Sequence, residues 1–126
     1  PRARIQGSER TVYSATDLIL DGTGSFHPDF PGMSQPSLSY SWTCKESTTS
    51  QESSCSNSQG IAFGSGSEST LKIPANSFRP GNAIYVFVLV VSYQTSESST
   101  SISVYCSSII CKTFIPNPKQ VLFSIT

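Results

Sequence analysis

The residues best suited to chemistry are a histidine, a serine and an aspartate that lie close together. His27, the single histidine of the chain, stands between Ser25 and Asp29. This is the composition of a catalytic triad, but a triad needs a buried acid that orients the base beside a strained nucleophile. Residues two apart on an extended chain cannot wrap around one another in that way, and no G-x-S-x-G motif is present. We therefore expect a loop histidine, no catalytic residue and no enzyme.

Two polar pairs, Asp21-Gly22 and Pro28-Asp29, are typical of turns. Aspartate accepts hydrogen bonds from nearby backbone N–H groups, glycine supplies a positive φ, and proline fixes φ. The rival interpretation is a calcium site, which needs six or more oxygens and usually several carboxylates. The only aspartates are Asp17, Asp21 and Asp29. The sequence thus favours structural turns, with no metal and no cofactor.

The four cysteines, Cys44, Cys55, Cys106 and Cys111, allow three disulfide pairings. Zinc sites need close ligand pairs such as C-x2-C, and these spacings do not supply them. Because short loops meet most often, we predict the bonds Cys44–Cys55 and Cys106–Cys111. Disulfides indicate an oxidising compartment, and hence secretion or a cell surface.

Composition excludes several classes of partner. The 8 Lys and Arg residues balance 8 Asp and Glu, so the formal net charge is zero. Nucleic-acid binding and polybasic membrane docking both need an excess of basic residues. No apolar run reaches the roughly 18 residues of a membrane span, so we expect no membrane insertion by this segment. The first residues lack both Met and the apolar segment of a secretory signal, which indicates a mature product or part of a longer chain.

Hydrophobicity alternates with a period of two, which predicts strands. Around Trp42, the apolar side chains of Leu38, Tyr40 and Cys44 share one face. Between Ile84 and Val91 both faces are apolar, which is typical of a central strand, and we place Tyr85, Phe87 and Leu89 in the core with Trp42 and Tyr40. Gly, Pro and Ser clusters interrupt every potential helix. We predict an antiparallel β-sandwich with strands near 2–6, 11–13, 16–21, 37–44, 60–63, 69–74, 83–93 and 99–106.

Two segments fall outside this pattern. Residues 45–59 are predicted to form a loop in which only the cysteine is buried. Residues 1–106 form the predicted sandwich, and residues 107–126 comprise a cysteine loop, a stiff Pro116-Asn117-Pro118 linker and a strand that starts the next domain or pairs with a neighbour.

The strand near 83–93 also suggests a contact. Its outward side chains are Val86, Val88 and Val90, on a sheet that otherwise presents Ser and Thr. One explanation is β-propensity alone, because valine suits any strand. The alternative is a partner surface that is covered by a neighbouring module or by the tail residues Val121, Phe123 and Ile125.

The segment LILDGTGSFHPD at 18–29 resembles the corresponding segment of PKD domains. LSYSWTC at 38–44, followed by Cys55, is similar to the variant strand of REJ (receptor for egg jelly) modules of polycystin-type surface proteins. LKIPA at 71–75, FRPG at 78–81 and YVFVLVV at 85–91 match the later half of that family. Tyr85 after Pro80-Gly81 resembles the tyrosine corner of sandwich domains.

This resemblance implies an Ig-like or fibronectin-III-like sandwich and a non-catalytic extracellular module, one link in the tandem array of a large adhesive surface protein. Its partners would be neighbouring domains of the same polypeptide or copies of itself, with a glycan or protein ligand left open. Two alternatives remain. One is a filament subunit joined by strand exchange. The other is a carbohydrate-binding module, for which the free aromatics are Phe26, Phe30, Tyr93 and Tyr105. Ser/Thr-rich stretches at 47–58 and 95–101 are compatible with O-glycosylation.

Overall fold

The computed structural model describes residues 1–7, 9–26, 37–48, 51–81 and 83–115. The strands there are β1 (Arg10–Tyr13), β2 (Leu18–Asp21), β3 (Ser39–Ser47), β4 (Glu52–Ser54), β5 (Thr70–Ile73), β6 (Ile84–Tyr93), β7 (Ser96–Cys106) and β8 (Ile110–Phe114). No helix long and apolar enough to cross a membrane occurs among these residues.

The strands form two antiparallel sheets. The larger sheet has six strands in the order β1-β8-β7-β6-β3-β4, and the smaller sheet pairs β2 with β5. Strand β6 lies in the interior of the large sheet, between β3 and β7. The prediction of an all-β antiparallel sandwich is confirmed.

Burial follows the period of two, and one side of each sheet forms the core. On β6 the side chains of Tyr85, Phe87 and Leu89 are fully buried. Leu89 is the register partner of Trp42 on β3, and the Trp42 side chain is 1% exposed. Its indole N–H donates to the Glu68 carbonyl at 2.7 Å, so the one polar atom of the ring is satisfied inside the core.

Close packing accounts for two glycines. A Cβ on Gly22 would lie 2.8 Å from Leu89 Cδ2 and 2.9 Å from a backbone oxygen. The positive φ expected at Gly22 is wrong, because the residue is required by close approach and not by backbone conformation. Gly64 meets both demands: its φ is +91°, and a Cβ there would lie 2.4 Å from Cys44 Cβ.

Two predicted strands are wrong. Residues 2–6 form no strand; the segment makes a single bridge from Arg2 to Phe26, and Gln6 N–H donates to the Asp21 carbonyl at 2.9 Å. Residues 60–63 contribute one isolated bridge, between Ser56 and Ala62. Both segments have strand-like composition but too few partners to form a continuous ladder.

The predicted loop at 45–59 is also wrong in part. Strand β3 continues to Ser47 and turns into β4, and the register pairs Lys45 with Ser54. After Cys106 the chain does not remain a loop, because β8 pairs with both β7 and β1. Polar side chains on β4 and β8 hide the alternation that a sequence pattern depends on.

Replacing the central aromatic residue tests this packing. Trp42→Ala is expected to lower the free energy of unfolding by about 3–5 kcal/mol, because the lost contacts leave a cavity. Chemical denaturation would measure the change. Ile61→Ala is the matched control, since the Ile61 side chain is 59% exposed and its loss should cost little. Equal effects of the two changes would contradict a core position for Trp42.

Candidate functional site

The described polar residues that were considered as candidate site residues form hydrogen bonds within the protein. Ser25 is 8% exposed, and its hydroxyl accepts the Arg4 N–H at 3.0 Å. The serine thereby joins the first residues of the chain to the turn after β2. His27 and Asp29, which we considered with Ser25 as a triad and rejected, lie outside the described residues, as does Pro28.

The Asp21 carboxylate closes a turn. Its Oδ1 accepts the Thr23 N–H at 2.8 Å and also accepts the Thr23 hydroxyl. The hydrogen bond from the Thr23 hydroxyl, followed by that from its N–H, lowers the pKa of Asp21 below its ordinary value. Gly22 belongs to the same turn, in which Ser25 N–H donates to the Gly22 carbonyl at 3.0 Å.

Asp17 makes a similar structural contact across the small sheet. It accepts the Ala75 N–H at 2.8 Å and pairs with Lys72 at 3.4 Å. The backbone hydrogen bond, and then that from Lys72, lower the pKa of Asp17. A lowered carboxyl pKa stabilises the fold above the unfolded value, and this contribution is lost as pH falls through the folded value. In the described part of the chain, no three His, Cys, Asp or Glu side chains are grouped to hold a metal ion.

Tyr85 anchors the turn before β6. Its side chain is fully buried, and its hydroxyl accepts the Arg79 N–H at 2.8 Å. Ring contacts surround it, with the Phe78 centroid at 4.9 Å and the Phe63 centroid at 5.7 Å. A hydrogen bond between a tyrosine hydroxyl and the backbone a few residues upstream is the hallmark of a tyrosine corner, and here the hydroxyl is the acceptor.

The same arginine neutralises a buried acid. Glu46 on β3 is 3% exposed, and its Oε2 accepts a hydrogen bond from the Arg79 guanidinium. Oε1 accepts the Ser56 N–H at 3.0 Å. A buried carboxylate is tolerated only when its charge and lone pairs are satisfied, and both oxygens of Glu46 have partners.

One disulfide lies beside Glu46 and Arg79, and the other closes the β7–β8 turn. Cys44 is bonded to Cys55, next to Ser56, and Cys106 is bonded to Cys111 across the β7–β8 turn. The side chains that join β3, the loop after β4 and the turn before β6 will be called the corner cluster. Its members are Cys44, Glu46, Cys55, Arg79 and Tyr85.

Sequence reasoning identified Tyr85 and both cysteines of the corner cluster but missed its ion pair. Glu46 lies in the segment expected to be a loop with only its cysteine buried, and that expectation is wrong. Arg79 is 33 residues away along the chain, so no local pattern links the two charges. The available signal was the alternation from Trp42 through Cys44, which puts residue 46 on the inner face if the strand continues.

Among the described residues, the aromatic side chains considered for a carbohydrate-binding module do not form a platform. Trp42 is buried, and Phe26 is half-buried with the Arg4 guanidinium 5.4 Å from its ring centre. Tyr93 is half-buried at the end of β6, whereas Tyr105 is 39% exposed near the other end of the sheet. Phe30 lies outside the described residues.

The valines proposed as a contact do lie on the outward side of the sheet. Val86, Val88 and Val90 alternate with the buried side chains of β6, and each is half-buried. Their expected partners Val121, Phe123 and Ile125 lie outside the described residues.

The fold and the site together define an antiparallel β-sandwich module with two disulfides. Its corner cluster joins strands and turns, which is a structural role. A family model for the REJ domain matches residues 2–120, and the chain belongs to that family. It is also similar to Polycystin-1 from Homo sapiens, with 35% identity over 88 residues, 69% of this chain. The chain spans only 2% of that protein's length. No solved structure matches the chain significantly.

Removing one oxygen atom tests the tyrosine corner. Tyr85→Phe is expected to destabilise the protein by about 1–3 kcal/mol, because the Arg79 N–H loses its acceptor. The measurement is equilibrium denaturation, with Tyr105→Phe as the control at an exposed tyrosine. Equal stability of Tyr85→Phe and the parent protein would show that the hydroxyl bond contributes nothing.

A double-mutant cycle tests the ion pair. Glu46→Gln and Arg79→Ala are each expected to cost about 1–3 kcal/mol, and their combined cost should fall short of the sum by about 1 kcal/mol. Gln keeps an acceptor for Ser56, so the cycle isolates the charge. Asp17 and Lys72 provide the control, because this pair is exposed to solvent and should show no measurable coupling. Additive costs at Glu46 and Arg79 would contradict the assigned pairing.

Proposed function

We infer that this chain is a non-catalytic extracellular module with a structural or adhesive role, one link in the tandem array of a large cell-surface protein. The observation that carries the proposal is the match of nearly the whole chain to the REJ family together with similarity to 2% of the length of Polycystin-1. A unit of this size within so long a protein fits a repeated or spaced module better than an autonomous enzyme.

The disulfides support the compartment. Both bonds link cysteines that are buried, and such bonds persist in oxidising surroundings outside the cell. A secreted or surface location accounts for two disulfides in a chain of only 126 residues. The REJ family membership favours the same location.

The hydrogen bonds of the carboxylate groups support a structural role. The carboxylates of Asp17, Asp21 and Glu46 each accept hydrogen bonds from the chain itself. Catalytic carboxylates need room for a substrate and access to its reacting atoms. Here the acids hold turns and strands, which is what a module that bears load between neighbours needs.

Pulling on single molecules tests the structural role. The full chain, held between handles at its two termini, is expected to unfold in one cooperative step. In the oxidised protein the bonds hide loops with sequence separations of 11 and 5 residues. Reduction should therefore lengthen the unfolded chain by about 50 Å, at 3.3–3.6 Å per residue. The double variant Cys106→Ser/Cys111→Ser is the matched control, because in it reduction frees only the larger loop.

Two further measurements on the same protein separate the alternatives. The proposal expects a monomer in sedimentation at all concentrations and no retention on a glycan array. Reversible polymerisation with rising concentration would replace it with a filament subunit. Glycan binding that is lost in Tyr105→Ala but kept in Ile61→Ala would replace it with a carbohydrate-binding module.

A further inference from the structure

Strand β1 lies at one edge of the large sheet and pairs there with β8. In the strand order it comes first, and among the described residues β8 is the single strand that forms a ladder with it. Four register pairs join the two strands, beginning with Arg10 and Thr113 and ending with Tyr13 and Ile110. Because the ladder is antiparallel, the chain enters β1 and leaves β8 at the same end.

Force applied to these two strands has different effects in different directions. Glu9 precedes β1 and Ile115 follows β8, so a pull on these two residues loads the pair of Arg10 and Thr113 first. The remaining pairs are loaded in turn, as each pair before them separates. A pull that drew the strands past each other along their length would instead load all four pairs together. Separation of the strands from this end is therefore the direction of least resistance.

The pair that takes the load first is held by side chains as well as by the ladder. Thr113 is 2% exposed, and its hydroxyl accepts the Arg10 N–H at 3.1 Å and donates to the Arg10 carbonyl at 3.4 Å. The Arg10 guanidinium donates to the Ile19 carbonyl on β2 at 2.9 Å, which ties the start of β1 to the small sheet. Hydrogen bonds inside a protein are electrostatically stronger than in water, so the Thr113 hydroxyl reinforces the point of first loading.

Strand β8 cannot separate fully from β7 when β1 is pulled away. The Cys106–Cys111 bond joins β8 to β7, and both cysteines are buried. Cys111 is also the register partner of Val12 on β1. One side of β8 is thus held by a covalent bond and the other side by non-covalent contacts. We expect the strands to part between β1 and β8.

We propose that Arg10 and Thr113 form a mechanical latch, and that the module yields to force when β1 unzips from β8 starting at this pair. Val12 packs against the core and Thr113 is buried, so release of β1 uncovers both and the rest of the sandwich unfolds in the same step. The latch therefore sets the force at which the module lengthens. Its relevance to a tandem array rests on the proposed structural role, whereas its geometry does not.

Pulling in two directions tests the latch. Azide-bearing residues carry the handles in the full chain, at positions 9 and 115 or at positions 9 and 108, and Glu9, Ser108 and Ile115 are all exposed. The first arrangement unzips β1 from β8. The second draws the strands past each other, because Ser108 lies in the turn before β8. We expect a several-fold higher unfolding force in the second arrangement, since four pairs then resist together.

The outcomes separate the latch from the structural role. Equal unfolding forces in the two directions would overturn the latch alone, because cooperative resistance to force would remain. The absence of a discrete unfolding step in both directions would overturn the latch and the structural role together.

Two changes of threonine to valine locate the latch along β1. Thr113→Val removes the hydroxyl bonds to Arg10 at the loaded end, and Thr16→Val removes the 2.9 Å hydroxyl bond to the Tyr13 carbonyl at the far end. With handles at 9 and 115, Thr113→Val is expected to lower the unfolding force, whereas Thr16→Val should leave it nearly unchanged. Thr113→Val should also lose a smaller fraction of the force between 9 and 108. Equal losses for the two variants, or equal fractional losses in the two directions, would contradict the latch.

Urea denaturation of the same proteins shows that each variant folds and measures its global stability. A purely structural contribution of Thr113 would lower the unfolding force by the same fraction in both directions. A dependence on direction is therefore the result that assigns the mechanical role to this residue.

Discussion

A tyrosine hydroxyl buried in an apolar core has to find a hydrogen-bond partner, and in this protein that requirement organises one end of the sandwich. Tyr85 accepts the backbone N–H of Arg79, which fixes the turn before β6. The turn then directs the Arg79 guanidinium toward Glu46 on β3. Glu46 in turn accepts the N–H of Ser56, beside the Cys44–Cys55 bond. Each polar group in this series has its hydrogen-bonding needs met by the next group. The corner cluster therefore stabilises the fold more than its hydrogen bonds would separately.

The corner cluster also shows what sequence patterns can and cannot reveal. The fold class was predictable because inward positions such as Trp42 and Leu71 alternate with polar residues, and such alternation indicates a half-buried strand. The pairing of Glu46 with Arg79 was not predictable, since a carboxylate after a strand is typical of a loop and its cation is distant in the sequence. Hydrophobic periodicity is local information, whereas charge compensation across 33 residues is a property of the tertiary structure.

Strands β4 and β8 were missed for a related physical reason. Strand β4 consists of Glu52, Ser53 and Ser54, all of which are exposed. Strand β8 combines buried Cys111 and Thr113 with exposed neighbours, and Thr113 is a polar residue in the core. In such strands the backbone ladder supplies most of the order, and the side chains carry little apolar signal. The region that forms the candidate site was therefore only partly visible in the sequence, because β4 borders it.

The two sheets differ in size, and this asymmetry explains the role of the first residues. Six strands present more inner surface than two strands can cover. The segment before β1 fills part of the difference: Ala3 and Ile5 pack against the core, and Ala3 N–H donates to the Ser98 hydroxyl at 3.0 Å. A strand was predicted at residues 2–6. This segment covers part of the core without one, because packing against the core needs only side-chain contacts and a few hydrogen bonds. The inner side of the large sheet is thus completed by chain outside the strands.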